Sequence, residues 1–393
     1  MTIISDVKER AAEYTQWRRK LHAMPELAFE EKQTSDFIAS RLETFGIEVH
    51  RGLAQTSVIG ILHGKSGPGD KEKSVALRAD MDALPMQEEN TFEHMSCVNG
   101  KMHGCGHDGH STMLLAAAEY LAEHTDRFDG TIYFIFQPAE EDQGGADHMV
   151  RAGFFDKYPC KAVYGLHNWP SMPMGKMAIC KGPVTANCDE FNIKIKGRGG
   201  HAAWPHFNID VVTAGSAIVN ALQTLVSRRL DPTRGAVVST CIFQAGTAKN
   251  VMPETAKLGG TVRSFGEDDR KMLHDALYEV VENTAKAYGV SVDIDYEFGY
   301  PSVVNSADET DLAAKAAKAV VGAENVDEEF IPVMGSEDFA YFLQHSPGAY
   351  IVLGQGSDTH KSGLHSPTYD FNDDITPIGA SWWITLAEMS LPV

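Results

Sequence analysis

The sequence predicts an α/β protein: a doubly wound, mostly parallel sheet forming a catalytic domain, interrupted by an inserted ferredoxin-like α+β domain. Three observations carry this reading. Short continuous apolar runs alternate with helical stretches up to about residue 170 and again after Tyr300, the pattern of strands buried on both faces and joined by crossover helices. Between these regions the order becomes strand, helix, strand, strand, helix, strand, which is the split ferredoxin-like arrangement. The chain has 393 residues, long enough for more than one domain.

The elements follow in order. The first fifty residues read as a helix pair, in which Phe37, Ile38, Leu42 and Phe45 recur at helical spacing before Gly46. Strands are expected at 57–62, 74–79, 131–136 and 162–166, with a late one at 349–353. The stretch 111–124 is a helix with Leu114, Leu115, Ala118 and Leu121 on one stripe. The inserted region supplies strands at 190–196, 236–244, 254–265 and 291–297 and helices at 209–228 and 268–288. A further helix is expected at 309–321. Residues 1–185 and 298–393 then form one discontinuous domain, and 186–297 an insertion.

Composition excludes several classes. With 34 basic and 54 acidic residues the formal net charge is −20, which argues against a nucleic-acid or anionic-membrane partner. Six cysteines without repeated Cys-x-x-Cys pairing are neither a disulfide scaffold nor a zinc ribbon. The N-terminus lacks a signal-peptide pattern and no run of ~20 apolar residues occurs, so a cytoplasmic protein is expected. Gly64-Lys65-Ser66 ends like a phosphate loop, but Ile59 stands where that motif requires glycine.

Chemistry gathers where an open parallel sheet places its ligands, beyond the carboxyl ends of the strands. The strand at 74–79 is followed by Asp80-Met81-Asp82, that at 131–136 by Gln137-Pro138-Ala139-Glu140-Glu141-Asp142, and that at 162–166 by His167-Asn168. His103, Cys105, His107 and His110 precede the 111–124 helix, and His365 follows the last strand. Singly, each has an ordinary explanation: a loop histidine, a solvated acidic turn, a small buried thiol. Together they suggest a metal centre. Glycines 104 and 106 let the Cys105–His107 backbone bend so that both side chains converge. Five potential ligands (Cys105, His107, Glu141, His167 and His365) suit two ions ~3.5–4 Å apart better than one. Glu140, adjacent to a ligating Glu141, can act as general base on a metal-activated water. Thiolate with imidazole favours zinc, cobalt or nickel over magnesium, with manganese also open. Asp80 or Asp82 could orient a ligating imidazole. A hydrolase using Cys105 as nucleophile with His107 or His110 as base, and a non-catalytic binding protein, are the competing classes.

These stretches resemble the M20 metallopeptidases, in the branch of aminoacylases, hippurate hydrolases and auxin-conjugate hydrolases. The similarity runs in order through LHAMPELAFEE (21–31), LRADMDALPM (77–86), MHGCGHDGHSTMLL (102–115), FQPAEEDQGGADHM (136–149) and GLHNWP (165–170). It continues through GRGGHAAWPH (197–206), NVMPETAKLGGTVRSF (250–265), MGSEDFAYF (334–342) and LHSPTYDFND (364–373). The resemblance implies a di-metal catalytic domain with an inserted lid that mediates homodimerisation, and hydrolysis of N-acyl-L-amino acids through a metal-bound hydroxide. It implies metal ligation by Cys105, His107, Glu141, His167 and His365, with Glu140 as base. Asp82 holds the aspartate place of the family's His-x-Asp motif, whose histidine is replaced here by Asp80. His201 is implied as an oxyanion donor acting in cis or from a partner subunit. Asn250 and Arg263 are implied to hold the substrate's carbonyl and α-carboxylate. Dipeptide hydrolysis at the same type of site is the nearest alternative activity. Glu337 and Asp338 are assigned no catalytic role, and Ser336 reads as a helix cap.

Overall fold

Residues Ser74–Asp80 are buried at every position, a run that only the interior of a covered sheet can accommodate. That strand is the centre of the structure, a computed structural model describing residues 1–393. The chain enters through helices α1 (Ala11–Ala23) and α2 (Lys32–Thr44), then strands β1 (Glu48–Arg51), β2 (Val58–His63) and β3 (Ser74–Asp80). Helix α3 (His107–Glu123), β4 (Thr131–Gln137), α4 (Gly145–Arg151) and β5 (Ala162–Pro173) follow. Next come β6 (Asp189–Lys196), α5 (Val211–Thr224), β7 (Ala236–Ala245), β8 (Thr255–Ser264), α6 (Glu267–Tyr288) and β9 (Ser291–Glu297). The chain closes with α7 (Ala307–Val321), β10 (Gly348–Gly356) and α8 (Thr376–Ser390).

The chain divides into two compact units. One comprises Met1–Val184, Val304–Ile331 and Asp338–Val393; the other comprises Thr185–Val303 and Pro332–Glu337. The second unit thus runs past residue 297, because Gly299 N donates to Asp189 Oδ1 (3.2 Å) and Ser302 Oγ donates to the carbonyl of Ser264 (3.1 Å). It also recovers 332–337, where Ala186 N donates to the carbonyl of Val333 (3.0 Å).

In the larger unit the sheet order is β1-β2-β4-β3-β5-β10, extended by two-residue strands at Met177–Ala178 and Val326–Asp327. Strand β3 runs parallel to β4 and β5, and β5 parallel to β10, whereas β1 and β2 pair antiparallel. Helix α3 packs against α1 and α8, and its Leu114, Leu115 and Leu121 join Leu77, Phe134 and Trp382 in one core. Each such side chain contributes roughly 1.5–3 kcal/mol by leaving water. One buried ion-pair network crosses this core. Arg78 Nε donates to Gln137 Oε1 (2.7 Å), Nη1 to Asp80 Oδ2 (2.7 Å) and Nη2 to Asp338 Oδ1 (3.0 Å). Ala146 N also donates to Asp338 Oδ2 (2.9 Å). Asp338 therefore ties β3, β4 and the start of α4 together.

Four local expectations are corrected. The N-terminal region holds three helices, since Ser5–Glu9 forms a short one before α1. Helix α3 begins at His107, one turn before Ser111, so His107 and His110 lie within it. Strand β5 continues through His167 and Asn168 to Pro173, because β10 pairs with it there (Val352 with His167, Leu353 with Asn168) and beyond. Ser336 caps no helix; only the four-residue helix Ala340–Leu343 follows, preceded by Phe339.

The smaller unit is a four-stranded antiparallel sheet, β7-β8-β6-β9. Alternate residues of β6, Phe191, Ile193 and Ile195, are buried against Val211, Ile218 and Leu222 of α5 and Leu273 and Leu277 of α6. No helix of the chain is long and apolar enough to cross a membrane.

Candidate metal centre

The first turn of α3 starts from Gly106, whose φ of +102° is left-handed and whose hypothetical Cβ would lie 2.5 Å from Asn168 Oδ1 and 2.6 Å from the Tyr369 hydroxyl. Only glycine fits there, and this close approach sets Cys105 and His107 beside β5. His107 Nδ1 lies 3.2 Å from Asp82 Oδ1, which fixes the proton on Nδ1. Its Nε2 is buried without any hydrogen-bond partner. His167 Nδ1 donates to the carbonyl of Asn168 (2.7 Å), leaving Nε2 3.4 Å from Cys105 Sγ. Both imidazoles are thus held in the tautomer that offers Nε2 as a ligand.

Two glutamates approach the same nitrogen. Glu140 Oε2 lies 3.9 Å and Glu141 Oε1 3.8 Å from His107 Nε2. Glu141 Oε1 is also 3.2 Å from His365 Nε2, yet buried without a hydrogen bond. The turn that delivers these carboxylates contains Ala139 at φ +57°, and His365 itself has φ +59°. Left-handed conformations of non-glycine residues cost about 1–3 kcal/mol and persist where surrounding contacts enforce them. For His365 one such contact is its amide, which donates to the carbonyl of Gly104 (2.8 Å).

Donor atoms of Cys105, His107 and His167 lie within 4.8 Å of one another, and so do those of Cys105, Glu141 and His365. Cys105 belongs to both groups. The electrostatics agree with a cation at this position. Burial pulls the His107 pKa down, but Asp80, Asp82 and Glu141 outweigh it and hold it at about 10. Burial and the neighbouring Glu141, Glu140 and Asp80 push the Cys105 thiol well above its ordinary value. Burial and His110 hold His167 well below the usual imidazole range, hence neutral. A thiolate does not form here unless positive charge is supplied, which disfavours Cys105 as a free nucleophile. A buried His107 Nε2 without a hydrogen bond, carboxylates that draw positive charge onto His107, a neutral His167 and a thiol facing carboxylates all fit a divalent ion.

The profile of Peptidase family M20/M25/M40 matches residues 76–389. The chain belongs to this family. It is 37% identical over 387 residues to the hippurate hydrolase of Campylobacter jejuni, covering 98% of this chain and 99% of that one. It is 44% identical over 301 residues to the N-acyl-L-amino acid amidohydrolase of Geobacillus stearothermophilus, covering 76% and 80%. A solved Bacillus subtilis protein described as a dinuclear metal-binding peptidase of the M20 family superposes with a TM-score of 0.85 at 33% identity, covering 98% of this chain and 99% of that one. As a member of the M20 family the chain is a metal-dependent amide hydrolase with divalent-metal chemistry.

The sequence offers Asp80 or Asp82 to orient a ligating imidazole; the structure places Asp82 beside His107, and further supports of this M20 site are visible only in the structure. Asp82 steadies His107 and also accepts from Glu141 N through Oδ2 (3.0 Å), so it positions two proposed ligands at once. Asp80, the other candidate for orienting a ligating imidazole, holds Arg78 and His110: His110 Nδ1 lies 2.6 Å from Asp80 Oδ1 and Nε2 2.6 Å from Asn168 Oδ1. Asn168 Nδ2 continues the chain to the Tyr369 hydroxyl (2.7 Å). The i,i+3 spacing of His107 and His110 signals one helix face, but only once the helix is known to start at His107. Beneath the same turn, Asp108 meets His22 (2.8 Å), whose pKa rises to about 9 because Asp108 and Glu88 outweigh its burial. Arg18 anchors this cluster to Asp373.

The remaining residues named from sequence lie in the smaller unit. His201 is exposed, its Nδ1 accepting from Ala203 N (3.1 Å). It pairs with Val251 across two short strands, and Ala202 N donates to the carbonyl of Asn250 (3.1 Å), so His201 and Asn250 are neighbours. Arg263 stands apart on β8, where Nε donates to Thr261 Oγ1 (3.2 Å). Trp204 and Phe207 are exposed, whereas the Trp169 ring lies 6.3 Å from that of His167.

Proposed function

We propose that this M20 hydrolase cleaves the amide of N-acyl-L-amino acids, with Glu140 as general base and Cys105, His107, Glu141, His167 and His365 as ligands of two divalent ions. The observation that carries the reading is the convergence of two glutamates on His107 Nε2, one of them also facing His365. Zinc, manganese, cobalt and nickel are the proposed metals, on the donor chemistry. When bound, such ions supply Lewis acidity that activates a water and polarises the acyl carbonyl. Glu140 takes the water's proton and returns it to the leaving amine. Asp82 keeps His107 in its ligating tautomer and fixes the Glu141 backbone. His201 is assigned to the developing oxyanion, and Asn250 and Arg263 to the substrate's carbonyl and α-carboxylate, on their matches to the family's motifs.

The choice of N-acyl amino acids is supported by the activities for which the hippurate hydrolase and the amidohydrolase relatives are named. It is tested by measuring amino-acid release from N-acetyl, N-benzoyl and indoleacetyl amino acids with added Mn²⁺, Zn²⁺ or Co²⁺. Release from at least one class, above that from dipeptides, is expected. Dipeptides alone being cleaved would replace this reading with a dipeptidase.

We further propose a homodimer formed through the smaller unit. Its edge strand β7 leaves Ile242 and Phe243 exposed, and Val212 and Val251 of the same unit are exposed too; unprotected apolar edges of this kind are rare on monomers. Sedimentation should give twice the 42.9 kDa chain mass, and a single chain mass at micromolar concentration would refute it. All six cysteines are unpaired, which suits a reducing compartment such as the cytoplasm.

A further inference from the structure

Glu31 is fully buried, in a motif to which neither the metal ligands nor the proton-transfer chemistry gives a role. It occupies the start of α2 yet makes no side-chain cap bond to that helix. Its carboxylate reaches elsewhere. Oε1 accepts from Ala139 N (2.9 Å) and Oε2 accepts from the Thr56 hydroxyl (2.6 Å). Ala139 is the left-handed residue immediately before Glu140. The turn has no slack: Gly145 N donates back to the carbonyl of Ala139 (2.9 Å), and a Cβ at Gly145 would fall 1.7 Å from the carbonyl oxygen of Pro138. The same N-terminal segment also accepts Ala83 N at the carbonyl of Glu26 (2.9 Å), next to Asp82. Burying a carboxylate is costly unless its partners are secured, and here they are a backbone amide of the catalytic turn and a hydroxyl that braces the acid from behind.

We propose that Glu31 is a positioning residue: by gripping the Ala139 amide it holds the left-handed turn that aims Glu140 and Glu141 at His107 Nε2. This rests on the reading of Glu140 as the base. Glu31 touches no reacting atom and acts through the Ala139 backbone alone. Misaiming a reacting group by as little as 1 Å can cost about 10²-fold in rate, so a clamp on this turn is felt in kcat rather than in KM.

The test compares Glu31→Ala and Glu31→Gln for kcat, KM and hydrogen exchange of the Ala139 amide in the metal-loaded full chain. Glu31→Ala is expected to speed that exchange and lower kcat by roughly tenfold or more, with KM changed by less than about threefold. Glu31→Gln, whose amide oxygen still accepts from Ala139, is expected to restore both to near wild type. A merely structural acid would lower the melting temperature without this split and without rescue. Unchanged exchange in Glu31→Ala, faster exchange with unchanged kcat, or a Gln variant as impaired as the Ala variant would overturn the proposal. If Glu31→Ala does not fold, Thr56→Val, which removes the brace, carries the same comparison with a smaller change in the same direction. Glu140→Gln is run alongside. Turnover surviving in that variant removes the base reading, while Ala139 exchange still decides whether Glu31 grips the turn.

Discussion

Glu140→Gln is expected to lower kcat by about 10²- to 10⁴-fold, the usual range for a general acid–base group, with KM within about threefold and metal content unchanged. The substitution keeps shape and removes only the capacity to carry a proton. Each tenfold loss corresponds to ~1.36 kcal/mol of transition-state stabilisation, so the expected deficit is roughly 3–5 kcal/mol. Glu141→Gln should behave differently. Its Oε1 is the buried, unbonded oxygen shared between His107 and His365, so that variant should lose metal affinity together with rate. Metal content by elemental analysis beside steady-state kinetics separates the two glutamates. A Glu140→Gln enzyme with near-wild-type kcat would exclude it as the base.

Much of this site is legible in the residues themselves. Glycines 104 and 106 around Cys105 announce a bent backbone, and the structure shows why position 106 admits nothing larger. The adjacent Glu140 and Glu141 suggest a division of labour, and both reach His107 Nε2. Boundaries were less readable. Glycine and histidine are weak helix formers, so α3 reads from Ser111 although it begins at His107. His167 reads as a loop residue because apolar character ends at Leu166, whereas pairing with β10 extends the strand past it. What could not be read are the long-range partners. An alanine gives no local sign of a left-handed conformation, and Glu31 is 108 residues from the amide it holds. Arg78 reads as an interruption in an apolar strand until Asp338, 260 residues on, appears beside it.

Removal of metal is the second change with a large expected effect. Without a cation, His107 Nε2 stays buried without a hydrogen bond, and the Cys105 thiol is held protonated by burial and by Glu141, Glu140 and Asp80. An unsatisfied buried polar group costs about 1–3 kcal/mol, so the metal-free protein should also unfold at lower temperature. Ligation at 100-fold excess over Kd adds roughly 2.7 kcal/mol of stability, which thermal unfolding with and without chelator measures. The alternative chemistry, a Cys105 nucleophile, predicts the reverse: chelation leaves rate intact and alkylation abolishes it.

The most direct measurement is a titration of metal-free protein with Zn²⁺ or Mn²⁺, following hydrolysis of an N-acyl amino acid at each addition. The account predicts negligible turnover at zero metal and a rise that follows site filling and ends when two ions per chain are bound. Full turnover by protein shown to be metal-free would contradict it.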